Sequence, residues 1–235
     1  MNEMKNTLVA GLPLLGLELT DNTCDTLCAF GAAMVKQNEV MNLTGITEDD
    51  QVAKLHLIDS LTVLKCADLV GKSLIDVGCG AGFPGVPTAI GCPEAKVTLL
   101  DSLAKRMNWL ETVLPQLGVQ NAECVTARAE EAVATRRESY DYATSRAVAR
   151  LNILLELTAP YVKVGGAVLA LKGAMAREEL EEAKSAISKL GLQVESVKDF
   201  TVDKDTVHTV IVLRKVRPTP AKFPRRYAKI KQAPL

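Results

Sequence analysis

The chain has 235 residues, 48% apolar, 24% charged and 4% aromatic, and it is long enough to bury its own core without disulfides or metal staples. Its 28 basic and 28 acidic residues cancel, which excludes the sparse-hydrophobe, high-charge regime of disordered chains. The six cysteines form no C-x-x-C pair and the only histidines are His56 and His208, so no metal site is expected, and the cysteines read as reduced thiols of a cytoplasmic protein.

Taken in chain order, the apolar run from Leu8 to Leu19 is broken by Pro13 and Glu18. It lacks a small-x-small cleavage site and falls short of the ~20 residues that cross a bilayer, so neither export nor a membrane is expected. Thr20 or Asp21 is placed to cap a helix through Leu27, Phe30, Met34 and Val35, apolar at three- and four-residue spacing. Asn42-Leu-Thr-Gly45 breaks it, and a second helical stretch follows from Val52 to Leu64. Residues 1–70 therefore read as an N-terminal helical extension.

From Lys72 short β-rich runs alternate with helical patterns. The runs are SLIDVG (73–78), KVTLLD (96–101), AECVTA (122–127), YDYATS (140–145), AVLALK (167–172), LQVESV (192–197) and HTVIVLRK (208–215). Amphipathic segments lie between them, among them Leu103 to Leu117 and Arg177 to Leu190, the latter closed by Gly191. This alternation predicts an α/β fold over 71–216, a doubly wound, mostly parallel sheet. The last two runs have little between them and are expected to form an antiparallel hairpin at one edge.

The strongest local signal is Ile75-Asp-Val-Gly-Cys-Gly-Ala-Gly-Phe-Pro-Gly85. Glycines at the carboxyl end of a first strand allow positive φ and let a ligand approach the backbone. A phosphate-binding loop is excluded, because Gly71-Lys72-Ser73 precedes a strand and Cys66 stands where the first glycine should be. A dinucleotide loop needs a third glycine where Phe83 stands. What remains is D-x-G-x-G-x-G with Gly78, Gly80 and Gly82, the loop of S-adenosylmethionine-dependent methyltransferases. Asp101, ending the second run, is suited to a ribose diol, with capping of the next helix as the alternative. Cys79 has no histidine beside it in sequence and reads as a small core filler. His56 and Asp59, three apart, read as a structural pair. Arg146 and Lys172 fall at the carboxyl ends of the fourth and fifth runs, the edge where such sheets bind ligands.

Charge is unevenly placed. Eight of the 28 basic residues lie from Arg214 onward and no acid follows Asp205, which leaves 20 basic against 28 acidic residues in the rest, a net of −8. The tail, 217–235, with its FPRRY stretch (223–227), is suited to a polyanion such as RNA. A solvated terminus is the alternative.

Together these motifs resemble the bacterial 16S ribosomal RNA guanine-N7 methyltransferases, the glucose-inhibited division protein B family. The resemblance runs from about Asn38 to the end. It rests on MNLTGI (41–46), HLIDSL (56–61), DVGCGAGFPGVP (76–87), LLDSLAKRMNWL (99–110), ARAEE (127–131), TSRAVA (144–149), LKG (171–173), and FPRR with a closing PL. It departs after the arginine pair, where the family carries Gly and Pro and this chain has Tyr227-Ala-Lys-Ile-Lys. The resemblance implies a class I, Rossmann-like fold, S-adenosylmethionine as cofactor, and cofactor contacts at Gly78, Phe83, Ala129, Glu130 and Arg146. It further implies methyl transfer to guanine N7 in 16S ribosomal RNA, free or in the small ribosomal subunit, by a cytoplasmic monomer without a metal. N7 carries a lone pair and no proton, so no catalytic base is expected. Lys172, Arg225 and Arg226 are the candidate RNA contacts. The competing readings are an RNA-binding protein with a vestigial pocket and a methyltransferase for small molecules or proteins.

Overall fold

A computed structural model describes residues 2–203 and 206–235. Helix α1 (Asn2–Leu15) is the apolar N-terminal run. It buries Met4, Leu8, Leu12 and Leu15, whose spacing puts them on one helical face. Helix α2 (Asp21–Met41) starts at Thr20, whose Oγ1 accepts from the Thr23 amide at 3.2 Å, and ends at Asn42 in a left-handed conformation, φ 49°. Asn38 braces the loop that follows. Its Oδ1 accepts from the amides of Leu43 and Thr44 and its Nδ2 donates to the Thr44 carbonyl.

The second helical stretch is not uniform. It runs through α3 (Asp49–Val52), a π-helical segment (Ala53–Ile58), α4 (Asp59–Leu61) and a 3-10 turn (Thr62–Lys65). Wide turns of this kind recur at functional sites.

Seven strands follow: β1 (Ser73–Val77), β2 (Lys96–Asp101), β3 (Ala122–Thr126), β4 (Tyr140–Arg146), β5 (Val162–Lys172), β6 (Leu192–Asp203) and β7 (Thr206–Lys215). They form one sheet in the order β3-β2-β1-β4-β5-β7-β6. The pairings from β3 to β5 are parallel, and β7 runs antiparallel between β5 and β6. The hairpin at the edge is as the sequence predicts. Helices α5 (Gly85–Gly91), α6 (Ala104–Gln116), α7 (Ala129–Arg136), α8 (Leu151–Thr158), α9 (Ala176–Glu182) and α10 (Lys184–Leu190) cover the faces. The amphipathic run from Arg177 to Leu190 thus divides at Ala183, and Gly191 closes it at φ 79°.

Strands buried on both faces explain the near-continuous apolar runs. Leu74, Leu99, Leu169 and Val212 face α1, α2, α5 and α6. Their neighbours Ile75, Leu100, Val168 and Ile211 face α8 and α10, as the two-residue period of a strand requires. The core of the N-terminal helices is therefore continuous with one face of the sheet. The tail is neither free nor solvated throughout: it folds back as α11 (Tyr227–Gln232) and buries Phe223 and Ile230 against the layer containing α8. Among the described residues no helix is long and apolar enough to cross a membrane.

Candidate functional site

The strand order reverses between β1 and β4, and open α/β sheets bind ligands outside the carboxyl ends of their strands at such a point. The glycine loop leaves β1 there. Gly78, Gly80 and Gly82 have φ of 74°, 57° and 93°, values that side chains with a Cβ rarely adopt. The Gly85 amide donates to Asp76 Oδ2 at 2.7 Å. Asp76 is wholly buried and its Oδ1 has no hydrogen-bond partner among the described residues; burial pushes its carboxyl up to about 7.

The three glycines do different work. A Cβ on Gly80 would meet nothing closer than Arg106 Nη1 at 3.8 Å, so this position opens toward a ligand. A Cβ on Gly78 would stand 2.5 Å from Val148 Cγ2, and one on Gly82 would press on Val86, Leu110 and Phe30. Close protein packing therefore explains Gly78 and Gly82, while the space in front of Gly80 is open.

Asp101 ends β2. Its Oδ2 accepts from the Gly80 amide at 3.0 Å and its Oδ1 from the Leu103 amide at 2.9 Å. Helix α6 has no side-chain cap, so Asp101 ties the glycine loop to the exit of β2 instead of capping the helix. Gly80, Asp101, Leu103, Ala129, Glu130 and Tyr227 border a cavity of about 590 Å³, to which Gly78, Phe83 and Arg146 also contribute. An open glycine cradle beside a carboxylate and an acid after β3 fit the adenosine part of S-adenosylmethionine, and the two acids suit its cationic groups. Gly82, packed beneath the loop, is not among the lining residues.

A second cavity, of about 510 Å³, adjoins the first and shares His56, Arg146, Ala147 and Val148 with it. Arg146 organises the boundary. Its Nη1 donates to the Leu55 carbonyl at 2.8 Å and to Asp59 Oδ2 at 2.7 Å, and its Nη2 lies 3.1 Å from His56 Nδ1. Its guanidinium sits 5.3 Å from the centre of the Phe83 ring, on which His56 also stacks at 4.7 Å. Burial and Arg146 hold His56 down to about 4. Its imidazole is thus neutral at pH 7, with Nδ1 accepting from Arg146 and Nε2 donating to Thr44 Oγ1 at 2.9 Å. Asp59 is buried, with Oδ1 2.5 Å from His208 Nδ1. His56 and Asp59 therefore meet through Arg146 and not as a direct pair.

Lys172 lines the second cavity but is not a free cation. Its Nζ donates to the Ala149 carbonyl at 2.6 Å and pairs with Glu179 Oε2 at 2.8 Å. Arg225 is also engaged: Nε and Nη2 bind the two oxygens of the buried Glu156 at 2.8 and 2.6 Å. Arg226 is exposed. Cys79 is buried, with Sγ 3.8 Å from Met107 Sδ, and burial drives its thiol upward, away from a nucleophilic state.

Sequence reasoning did not reach His208, Thr44, Glu179 or the place of Tyr227 at the cavity rim. His208 carried a signal, as one of only two histidines. Glu179 carried none, because acids are common on exposed helices.

A sequence model of the rRNA small subunit methyltransferase G family matches residues 23–208. The chain is 42% identical to a ribosomal RNA small subunit methyltransferase G of Alkaliphilus metalliredigens, covering 95% of both chains. It is 40% identical to that of Acetivibrio thermocellus, covering 99% of this chain and 97% of the relative. Among solved structures, a SAM-dependent methyltransferase from Aquifex aeolicus is similar with a TM-score of 0.54 at 17% identity, over 78% of this chain and 97% of that one. M. jannaschii TYW2 in complex with AdoMet gives 0.56 at 14%, over 68% and 76%. These two establish the class I methyltransferase fold, and the match over most of the sequence establishes more: the chain belongs to the rRNA small subunit methyltransferase G family.

Proposed function

We propose that this protein transfers the methyl group of S-adenosylmethionine to N7 of a guanine in the 16S RNA of the small ribosomal subunit. The observation that carries the reading is the pair of adjoining cavities at the switch point, which share His56, Arg146, Ala147 and Val148 in their linings. One is fitted to the cofactor, and the other is open to a flipped or unpaired base. When bound, S-adenosylmethionine supplies an electrophilic methyl that the N7 lone pair can attack directly, so no residue has to remove a proton.

The chain's own residues bind and orient. Gly80 and Asp101 seat the cofactor; Gly78, Phe83, Ala129 and Glu130 complete its walls. Arg146, held rigidly by Asp59 and Leu55, fixes the boundary across which the base must approach. Holding two reactants in line is worth about 7–11 kcal/mol at best, so positioning is the main device. A ring that becomes cationic would be repelled by a bare cation, yet Arg146 carries Asp59 and Lys172 carries Glu179. Arg226 and the lysines of α11 are the phosphate contacts of this reading, beside the cavity rim marked by Tyr227. On this reading the protein acts as a monomer, and the reaction belongs in the cytoplasm with its substrate.

The test is mass mapping of small-subunit RNA from cells with and without the gene. One 7-methylguanosine should vanish without the gene and return when the purified protein is incubated with S-adenosylmethionine and the unmodified subunits. RNA of identical mass in both strains would remove the reading.

A further inference from the structure

We propose that the Lys172–Glu179 pair reads the base, selecting guanine over adenine at its O6 and N1–H positions. The assignment rests on the guanine-N7 reaction proposed above and adds the residues that choose the base. Lys172 ends β5, with its side chain 6% exposed, and Glu179 lies on α9 with its side chain 15% exposed. Two of the three ammonium N–H groups of Lys172 are directed to Ala149 O and Glu179 Oε2, which leaves one donor for a ligand. Glu179 Oε2 also accepts from the Leu151 amide at 2.8 Å. Its Oε1 accepts no hydrogen bond from any described residue, and both residues line the second cavity. The pair thus offers a fixed donor beside a fixed acceptor at the wall of the second cavity.

Their place in the sheet matches the base. The first cavity lies over β1 and β2, and the shared wall is at the end of β4. Lys172, Glu179 and His208 lie on the far side, over β5 and the start of β7. A base that turns N7 to the shared wall turns its six-membered ring toward that far side. Guanine then presents O6, an acceptor, followed by N1–H, a donor. Adenine presents the reverse order, an amino group followed by a bare N1. Lys172 Nζ binds the carbonyl of Ala149, next to Val148 of the shared wall, and Glu179 binds the Leu151 amide two residues further on, so donor-then-acceptor in that order complements guanine and opposes adenine. Methylation at N7 makes the ring cationic and N1–H a stronger donor. The Glu179 contact therefore tightens as the transition state forms, which is where binding accelerates a reaction.

The experiment uses the full chain, S-adenosylmethionine and small ribosomal subunits from a strain lacking the gene, with GMP, IMP and AMP as competitors. The wild type should be inhibited alike by GMP and IMP, which share O6 and N1–H, and about tenfold or more weakly by AMP. Glu179→Gln should lose about 100-fold in kcat/KM on the subunits and lose the preference for GMP over AMP, with the affinity for S-adenosylmethionine unchanged. A glutamine oxygen can still accept from Lys172 and Leu151 but leaves the buried ammonium uncompensated, so a merely structural Glu179 would lower overall activity and leave the preference for GMP over AMP intact. That result would overturn the assignment. If the variant fails to bind the cofactor, the wild-type nucleotide series decides alone, and equal inhibition by GMP and AMP overturns the assignment. Absence of any methyl transfer by the wild type would instead bring down the reaction itself.

Discussion

At the scale of single residues, the glycine loop separates two kinds of necessity. Valine at Gly78 or Gly80 carries a strained left-handed φ, which costs about 1–3 kcal/mol. Gly80→Val should add to this a weakened S-adenosylmethionine binding, because its side chain enters open cavity space, whereas Gly78→Val should lose further stability through collision with Val148. Calorimetry with the cofactor and a thermal melt distinguish them; equal melting losses for the two variants would contradict the division. Asp76 and His56 make a second, pH-dependent pair. Asp76 ionises near 7 when folded against 3.8 ordinarily. Between those values the folded chain keeps a proton that the unfolded chain has released, so stability falls as pH rises, by about 4 kcal/mol across the window. His56 ionises near 4 against 6.5. Over that window the unfolded chain takes up the proton, so stability rises with pH by about 3 kcal/mol. The two slopes oppose each other. Asp76→Asn keeps an acceptor for the Gly85 amide and removes one slope, so its stability relative to wild type should climb from pH 4 to 7 in urea titrations. A difference that does not vary with pH would show that Asp76 ionises normally.

At the scale of elements, the tail departs most from its sequence. Eight basic residues without an acid suggested a solvated or RNA-bound segment, but Phe223 and Ile230 are buried and Arg225 grips a Glu156 that has no solvent exposure. Removing one partner of a buried pair leaves an uncompensated charge, which costs about 3–5 kcal/mol. Arg225→Ala should fall at the lower end, about 3 kcal/mol, since the arginine itself is partly exposed. It should also weaken the cofactor, because α11 carries Tyr227 to the cavity rim. Chemical denaturation checks the first effect, and Glu156→Gln in the same chain should recover part of the loss. The π-helical segment is the other element whose shape matters. It carries His56 and presents the Leu55 carbonyl to Arg146; periodicity alone gave a helix there and could not give its pitch.

At the scale of the whole molecule, the charge asymmetry survives in reduced form. Arg214, Lys215 and Arg225 pair with Glu195, Glu138 and Glu156. Arg226, Lys229 and Lys231 are exposed on or beside α11, with no ion pair among the described residues. Tyr227, next to Arg226 at the start of α11, lines the first cavity. Replacing Arg226 with Ala should leave folding and cofactor affinity intact. It should lower the slope of log K for RNA against log salt by about 0.7–0.9 if it contacts a phosphate, and each α11 lysine should add the same. Filter binding over a salt series measures this, and an unchanged slope would return α11 to a purely structural role.

What the sequence by itself determined was local or periodic. Two-residue alternation and buried apolar runs gave the strands, Thr20 and Gly191 gave helix ends, and the loop Asp76 to Gly85 pointed to the end of the sheet where the first cavity opens, because each depends on neighbours along the chain. Tertiary structure alone decided which glycine faces open space, since that depends on whether Val148 or nothing stands opposite. It alone joined His208 to Asp59 across 149 positions of sequence, set Glu179 beside Lys172, and bound Arg225 to Glu156. A charged side chain in a sequence has no partner and no dielectric; the fold supplies both, and with them whether the charge meets substrate, holds another residue or faces water.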